Sequence, residues 1–483
     1  MMNNLSRRMS LSPYALQALP VALLIVFQLM FTSYSLWESG GGIAQYYGAD
    51  AEGVYHTLAM NVSGRLWRMM LFLMVMEAAA LLLILRFKVE GVLPVLVPVW
   101  LLLTLSCVYM AYVAPALAAK HYATVLLSFA ALLLGVALAC IAPQLKERNK
   151  LLRLVFIITA GAVLALTAYG LFFAPVVNGS RVYIAGVSPA EIYKVAVLSL
   201  TALTIVPMQQ EKSLGKQLIA VIALMAGSLL ILRSLGDAIL LLAIVLVIVL
   251  ETKGKKLFIL LAGAGAVIGL VGYKIYAAVK PDSYLVKRFS DVLVAETDPT
   301  ANANLRRAVL GMLRAGIFGS GVSPDNVRYI SYNYASDTDF VYSGLIGLFG
   351  IGIGLLVLFA YFTLVHGLST HPNQMDVLSY TFGNLAAVLV LVQAMTHVGA
   401  NLNVMPLSGV VLPLLSRSGA ALCTTMLAIG LALGGRIQCL SWLWAKAARP
   451  LNTLLAHKKE KEGAEESQRD TLENLLAGNR YCQ

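Results

Sequence analysis

The side chains that could do chemistry in this chain concentrate in one polar segment, residues 277–340. It carries seven acidic and seven basic side chains, whereas only 12% of the whole chain is charged. Catalytic groups are commonly carried on loops that a rigid scaffold positions. Within the segment, Pro299 fixes its own backbone and restricts the preceding Asp298 to extended geometry. We therefore expect residues 277–340 to hold the active site of a membrane enzyme.

Downstream of Asp298, apolar side chains at helical spacing predict a short amphipathic helix at the outer membrane interface. The apolar positions are Leu305, Val309, Leu313 and Ile317. Three arginines, a residue type suited to bidentate phosphate contact, share another face of that helix. They are Arg306, Arg307 and Arg314. Snorkelling of the same arginines to ordinary lipid phosphate is an equally open interpretation.

The segment ends in glycines and in a short polar motif. Gly316, Gly319 and Gly321 permit a close backbone turn. Thr338 and Asp339 directly precede the next apolar run. We favour capping of a helix by this pair over a catalytic role.

Ionisable residues also interrupt the apolar runs. Glu191 and Lys194 are three residues apart on a predicted helix that begins at Pro189, so they share a face and can neutralise each other. Ionisable residues inside a membrane are functional candidates, although a structural ion pair is equally open. Arg233 and Asp237 lie between two further runs, where a tight polar turn with an Arg–Asp pair is the favoured interpretation.

A last polar cluster, residues 397–419, combines prolines, glycines and asparagines at membrane depth. Irregular backbone persists there only when it is buried in protein or lines a wet cavity. Arg417 within it needs an anion or a carboxylate. We expect a re-entrant segment that closes the outer cavity.

The elements that must position these groups are transmembrane helices. Of the 483 residues, 59% are hydrophobic, which is too many for a soluble protein of this size. Runs of about 20 apolar residues recur, long enough to cross a hydrocarbon core of about 30 Å. We predict an all-α polytopic membrane protein with about 12 spans. The predicted spans are 13–36, 66–85, 93–113, 123–141, 154–173, 189–206, 218–232, 238–250, 257–276, 341–366, 378–398 and 420–433.

Charge and cysteine patterns add orientation and exclude other classes. The net charge of +12 is attributed to an anionic cytoplasmic leaflet rather than to nucleic acid. Basic clusters on alternate loops predict cytoplasmic termini and an extracytoplasmic segment 277–340. The first apolar run lacks a clear cleavage site and is expected to remain as a helix. The five cysteines show neither a disulfide framework nor a Cys/His metal spacing.

Several motifs between residues 182 and 433 occur in an order that resembles the SEDS family (FtsW, RodA and SpoVE). Gly186-Val-Ser-Pro-Ala-Glu-Ile-Tyr-Lys194 resembles the family's Gln-Pro-Ser-Glu-Phe-x-Lys, and Leu235-Gly236 with Ala238 resembles Pro-Asp-Leu-Gly-Thr-Ala. Gly319-Ser-Gly321 and Thr338-Asp-Phe340 resemble Gly-x-Gly and His-Thr-Asp-Phe. The nearest similarity is in Gly399-Ala-Asn-Leu-Asn-Val-Met-Pro-Leu-Ser-Gly409 and Leu412-Pro-Leu-Leu-Ser-Arg-Ser-Gly419.

The resemblance implies a peptidoglycan glycosyltransferase that polymerises lipid II, with a class B penicillin-binding protein as partner. Asp298 takes the family's catalytic position as general base for an inverting displacement. The departing pyrophosphate would be stabilised by arginines or by a divalent cation such as Mg²⁺ or Mn²⁺. The implied substrate-binding residues are Glu191, Lys194, Arg306, Arg307, Arg314, Asn401 and Arg417. Structural positions are Pro189, Pro299, Gly319, Gly321, Thr338, Asp339, Pro406, Pro413, Ser416 and Gly419.

The implied organisation is five N-terminal helices (1–175), a family-like core (176–435) and a tail (436–483). The tail is basic and amphipathic at first and is expected on the inner face of a bacterial cytoplasmic membrane, partly disordered. The chain also departs from the family pattern. Asp237 stands at the family's Thr position and Ser234 at its Asp, Arg417 replaces a usual Tyr, a Glu pair after Phe340 is absent, and about two spans are added. A lipid II flippase and a non-catalytic morphogenesis scaffold therefore stay open as alternatives.

Overall fold

A computed structural model describes residues 13–39, 43–49, 55–87, 89, 91–145, 149–174, 188–205, 207, 211–232, 234–280, 286, 303–333, 335–370, 377–407 and 409–436. Asp298, Pro299 and Arg233 lie outside these ranges, as does the tail from residue 437 onward. Their predicted roles, and the division of the chain at residues 175 and 435, stay predictions.

Fifteen helices and one hairpin make up the described part of the chain. The first elements are α1 (Pro13–Glu38), β1 (Ile43–Ala49), β2 (Tyr55–Asn61), α2 (Ser63–Phe87), α3 (Leu93–Val113), α4 (Pro115–Leu145), α5 (Asn149–Phe173) and α6 (Pro189–Thr204). There follow α7 (Lys212–Ile231), α8 (Leu235–Lys253), α9 (Lys255–Val279), α10 (Ala303–Ala315) and α11 (Pro324–Ser331). The last are α12 (Val341–Phe349), α13 (Ile351–Ser369), α14 (Val377–Asn401) and α15 (Gly419–Gly434).

The predicted class is confirmed, and the protein is an integral membrane protein of α-helices. Within the described residues, nine helices are long and apolar enough to cross a bilayer, and two shorter apolar helices accompany them. The antiparallel hairpin, in which Ile43 pairs with Asn61 and Ala49 with Tyr55, lies between the first two predicted spans, where no strand was predicted. Eleven of the 12 predicted spans each correspond to one helix along the chain.

The predicted span 341–366 is the exception, because it breaks into α12 and α13 at Gly350. Gly350 has a φ of 90°, a conformation that glycine adopts without steric cost. Its backbone touches the Gly-x-Gly turn so closely that a side chain on Gly350 would collide with the Ile317 carbonyl, and one on Gly319 with the Leu348 carbonyl. The Gly321 amide donates to the Leu348 carbonyl at 2.9 Å. The backbone of the Gly-x-Gly turn therefore packs directly against the backbone at the helix break.

Small residues allow α4 and α15 to pack closely against each other. A side chain on Gly135 would collide with the backbone of α15, and one on Gly430 or Gly434 with α4. Membrane helices associate largely through such close packing, since lipid supplies no hydrophobic drive between them. This contact fixes the position of α15, and the predicted re-entrant segment leads directly into that helix.

Candidate functional site

The residues between α14 and α15 form the predicted irregular segment, and it lies on the turn before α12. Arg417 Nε lies 2.5 Å from the Asp337 carboxylate. The Arg417 amide also donates to the Asp337 carbonyl at 2.9 Å. The predicted need of Arg417 for an anion or a carboxylate is thereby confirmed, and α12, α13 and α14 separate it from its partner in sequence.

Two further side chains hold the same turn. Ser416 Oγ donates to the Thr338 carbonyl at 2.7 Å, and Asn401 Nδ2 donates to the Asp339 carbonyl at 2.9 Å. Asn401 Oδ1 accepts from the Ser343 amide at 3.1 Å, so both ends of this fully buried amide bond within the protein.

The predicted capping of the following helix by Thr338 and Asp339 is wrong. The residue at the N-cap of α12 is Phe340, whose side chain makes no capping hydrogen bond. The carbonyls of Thr338 and Asp339 are instead the acceptors that tie this turn to Ser416 and Asn401. Tertiary packing of the irregular segment takes precedence over the local capping preference.

The remaining structural positions lie along the same elements. Pro189 opens α6, and Gly419 is the first residue of α15. The Pro413 carbonyl accepts a hydrogen bond from Tyr361 Oη, whereas Pro406 is half-buried.

A buried contact between a serine and a histidine also holds the irregular segment in place, and the sequence did not predict it. Ser106 Oγ on α3 donates to the Leu415 carbonyl at 2.7 Å. His121 Nε2 on α4 lies 2.9 Å from the same hydroxyl. Because the serine hydrogen is committed to Leu415, the imidazole must be the donor, and the arrangement positions backbone rather than activating a nucleophile. No local motif signals it, since the three groups are distant in sequence.

The predicted arginine helix exists as α10, and part of its apolar face is buried within the protein. Leu305, Ala308 and Met312 are buried, whereas Leu313 and Ile317 are exposed. The buried residues of α10 pack on α12, whereas Leu313 and Ile317 lie on the part of the apolar surface that the protein leaves uncovered.

The three arginines of α10 have different surroundings. The Arg307 guanidinium lies 4.7 Å from the centre of the Tyr332 ring, and that of Arg314 lies 5.5 Å from the Tyr329 ring. Arg306 is exposed. Stacking on an aromatic face leaves the N–H groups at the guanidinium edge able to bind an anion.

A pocket of about 240 Å³, counting the space open to solvent, lies beside this helix. Its lining includes Arg307, Tyr329, Asn333, Ser336 and Ser343. The Arg307 guanidinium supplies donors that suit phosphate and sugar oxygens, whereas Asn333 Nδ2 and Ser343 Oγ donate to the carbonyls of Asn304 and Phe340.

A second cluster lies deeper, among α6, α8 and α15. Lys194 Nζ is 2.6 Å from Glu191 Oε1 and 3.5 Å from Asp237 Oδ1. Thr424 Oγ1 donates to Glu191 Oε2 at 2.8 Å, and Ser234 Oγ donates to Asp237 Oδ2 at 2.7 Å. The predicted pairing of Glu191 with Lys194 is confirmed. Asp237, by contrast, pairs with Lys194, while the expected partner Arg233 lies outside the described residues.

The two clusters are joined by α15. Thr424 lies about 7.5 Å along the helix axis from Gly419, at 1.5 Å per residue, and Arg417 lies just before that first residue. A displacement of α15 would therefore disturb both clusters.

In the part of the chain that the structure describes, no group of three or more His, Cys, Asp or Glu side chains could hold a metal ion. We therefore assign no ligand set for Mg²⁺ or Mn²⁺.

Fold and site together define a polytopic membrane protein with an arginine-lined pocket beside an irregular segment anchored to the turn before α12. The sequence profile of the FtsW/RodA/SpoVE family, described as cell cycle proteins, matches residues 90–435. The chain belongs to this family.

Individual relatives agree with that assignment. The chain is 25% identical over 298 residues to the probable peptidoglycan glycosyltransferase FtsW of Riesia pediculicola, covering 60% of this chain and 76% of the relative. It is 23% identical over 270 residues to the stage V sporulation protein E of Bacillus subtilis, covering 53% and 71%. A solved structure described as "Structural coordination of polymerization and crosslinking by a peptidoglycan synthase complex" matches 71% of this chain and 97% of its own, at 23% identity and a TM-score of 0.53. That likeness shows the fold.

Proposed function

We propose that this protein is a membrane glycosyltransferase that polymerises lipid II into peptidoglycan glycan strands. The observation that carries the proposal is the arginine-lined pocket beside α10, within chain reach of Asp298. Asp298 precedes the start of α10 by five residues, and that length of chain spans at most about 18 Å. Arg307, which lines the pocket, is one turn into the same helix.

In the proposed reaction, Asp298 accepts the proton of a sugar hydroxyl as its oxygen attacks the anomeric carbon of a lipid-linked sugar. A base must lie within hydrogen-bond reach of the proton that it removes. The bond from the anomeric carbon to the pyrophosphate oxygen breaks as the new glycosidic bond forms, so a single displacement inverts the configuration. Polyprenyl pyrophosphate leaves with the bonding electron pair.

The negative charge that develops on the leaving pyrophosphate needs fixed positive charge and donors. Arg307 is the best placed of the predicted arginines, because it lines the pocket and lies over Tyr332. Arg314, over Tyr329, and the exposed Arg306 extend the positive surface toward lipid phosphate. In this proposal Arg417 and Asn401 position the turn before α12, because their polar groups are engaged by the protein.

The deep cluster is assigned a supporting role. One ammonium faces two carboxylates, and each carboxylate receives a hydroxyl bond as well. Such a satisfied network specifies one arrangement of helices. Glu191 and Lys194 would hold the cavity, and through Thr424 they would fix α15 beneath Arg417.

The proposed location is the bacterial cytoplasmic membrane, with both termini cytoplasmic and the Asp298 segment extracytoplasmic, as the basic residues predict. The similar solved structure is described as a peptidoglycan synthase complex that coordinates polymerization and crosslinking. We therefore propose a class B penicillin-binding protein as the partner that crosslinks the strands.

Purified protein in liposomes with lipid II separates this proposal from its alternatives. Polymer formation by the wild-type chain supports the enzyme. Lipid II translocation without polymer would assign a flippase instead. Absence of both activities with retained transpeptidase binding would assign a scaffold.

A further inference from the structure

The N-terminal region that precedes the family match contributes two membrane helices, α1 and α2, with an unusual distribution of polarity. Leu23, Met30 and Trp37 of α1 are exposed, whereas Gln28 and Thr32 are fully buried. Polar side chains between membrane helices act as adhesive groups, because lipid offers them no partners. The polar face of α1 therefore marks the side that docks on the protein.

The centre of this face is a three-helix contact. Gln28 Nε2 of α1 donates to Glu77 Oε1 of α2, and it lies 2.9 Å from Thr104 Oγ1 of α3. Glu77 has no exposed surface. Since α3 lies within the family match, this contact joins the added helices to the family core.

The contact has more acceptors than donors. Glu77 Oε2 and Gln28 Oε1 are acceptors buried without a hydrogen-bond partner among the described residues, whereas Thr32 Oγ1, also without a partner there, carries its own donor. The hydroxyl hydrogen of Thr104 is committed to the Trp100 carbonyl at 2.9 Å. A polar atom without a hydrogen-bond partner in the hydrocarbon region costs several kcal/mol. The same cost, applied to backbone groups, is the reason that only helices and closed barrels span membranes. A missing donor is therefore implied.

The charged groups around Glu77 lead to the same conclusion. In the described ranges, no Lys, Arg or His side chain forms an ion pair with Glu77, unlike Glu191 and Asp337. An unpaired carboxylate at this depth carries a large desolvation cost, whereas a neutral carboxyl carries little and gains an O–H donor.

We propose that Glu77 is protonated and, with ordered water at the orphaned oxygens, forms a hydrogen-bonded clasp that docks α1 and α2 onto α3. The clasp is a site for a proton and water at membrane depth. It stands whether or not the chain polymerises lipid II.

Contacts along α1 connect the clasp to α12 and to the Gly-x-Gly turn. The Phe31 ring, one turn beyond Gln28, lies 4.9 Å from the Phe349 ring at the end of α12. The Glu38 carboxyl, at the end of α1, occupies the space where a side chain on Gly321 would begin. Loosening of α1 should therefore loosen the Gly-x-Gly turn as well.

The test combines infrared spectroscopy with hydrogen exchange on the full chain in lipid nanodiscs. The wild-type minus Glu77→Gln infrared difference at neutral pH should contain the carbonyl band of a protonated carboxylic acid. Glu77→Gln keeps the shape and a donor, so exchange of the α1 amides should match wild type. Glu77→Ala should raise that exchange by about tenfold, while Leu71→Ala, on the exposed face of α2, should leave it unchanged.

A difference spectrum that shows only an ionised carboxylate would overturn the proposal, as would Na⁺-dependent conversion to such a carboxylate form. Release of α1 by Glu77→Gln to the extent seen with Glu77→Ala would do the same. If Glu77→Gln fails to fold, the double variant Gln28→Leu/Glu77→Leu replaces both partners by apolar groups of similar volume. It should keep α1 docked and lack the protonated-acid band.

Discussion

Arg417 Nε and Asp337 Oδ2 lie 2.5 Å apart, although 80 residues separate them in sequence. The pair fastens the segment before α15 to the turn before α12. Both side chains are partly shielded, with 32% and 15% of their surface exposed. An ion pair in this position is stronger than one at the surface and less costly to form than one fully buried.

Removal of either partner should destabilise the outer site. We expect Arg417→Ala or Asp337→Ala to lower the free energy of unfolding by about 1–3 kcal/mol, because the remaining charge loses its hydrogen-bonded partner. Thermal unfolding in detergent measures the change. Arg306→Ala, an exposed arginine, is the matched control and should have little effect. Equal effects of Arg306→Ala and Arg417→Ala would contradict the assigned role.

Neutralising only Lys194 in the deep cluster should lower the stability of the protein, whereas neutralising all three charged groups should restore most of it. Lys194→Met leaves Glu191 and Asp237 without their cation, which should cost about 3–5 kcal/mol. Neutralising all three groups, in Lys194→Met/Glu191→Gln/Asp237→Asn, should restore most of that loss. Denaturant or thermal unfolding of the three proteins, wild type, Lys194→Met and the triple variant, measures the non-additivity. A triple variant less stable than Lys194→Met would show that the cost does not come from unpaired charge.

Ser234 stands at the family's Asp position and Asp237 at its Thr position, and this difference leads to a separate prediction. The two side chains contact each other at 2.7 Å, so a carboxylate at either position lies close to Lys194. Asp237→Thr alone should destabilise the cluster. The pair Ser234→Asp/Asp237→Thr, which restores the family pattern, should recover stability and activity. Failure of the pair to improve on Asp237→Thr would show that the carboxylate must come from residue 237.

The helix break should tolerate no side chain at Gly350. Gly350→Ala forces a strained φ and a collision with the Ile317 carbonyl, so we expect a loss above about 1 kcal/mol. A side chain on the nearby Gly352 would meet the same carbonyl at an ordinary 3.5 Å. Gly352→Ala is therefore the control. Comparable unfolding temperatures for the two variants would argue against the close backbone contact.

The sequence predicted best those features that depend on local periodicity. The long helices follow from their apolar runs, and the Glu191–Lys194 pair follows from helical spacing. The partners of Arg417 and of Asp237 were out of reach, because neighbours that are distant in sequence leave no local pattern. The break at Gly350 was missed for a related reason: an apolar run of this length predicts a continuous helix, even with glycines in it, unless the contact with Gly319 is known.

The account depends most on Asp298, which sequence position assigns as the base. The direct measurement is lipid II polymerisation by purified Asp298→Asn, together with lipid II binding and the unfolding temperature. The control is Glu296→Gln, which removes a carboxylate two residues away. We predict that Asp298→Asn abolishes polymerisation while binding and stability persist, and that Glu296→Gln polymerises normally. Wild-type polymerisation by folded Asp298→Asn would contradict the central claim.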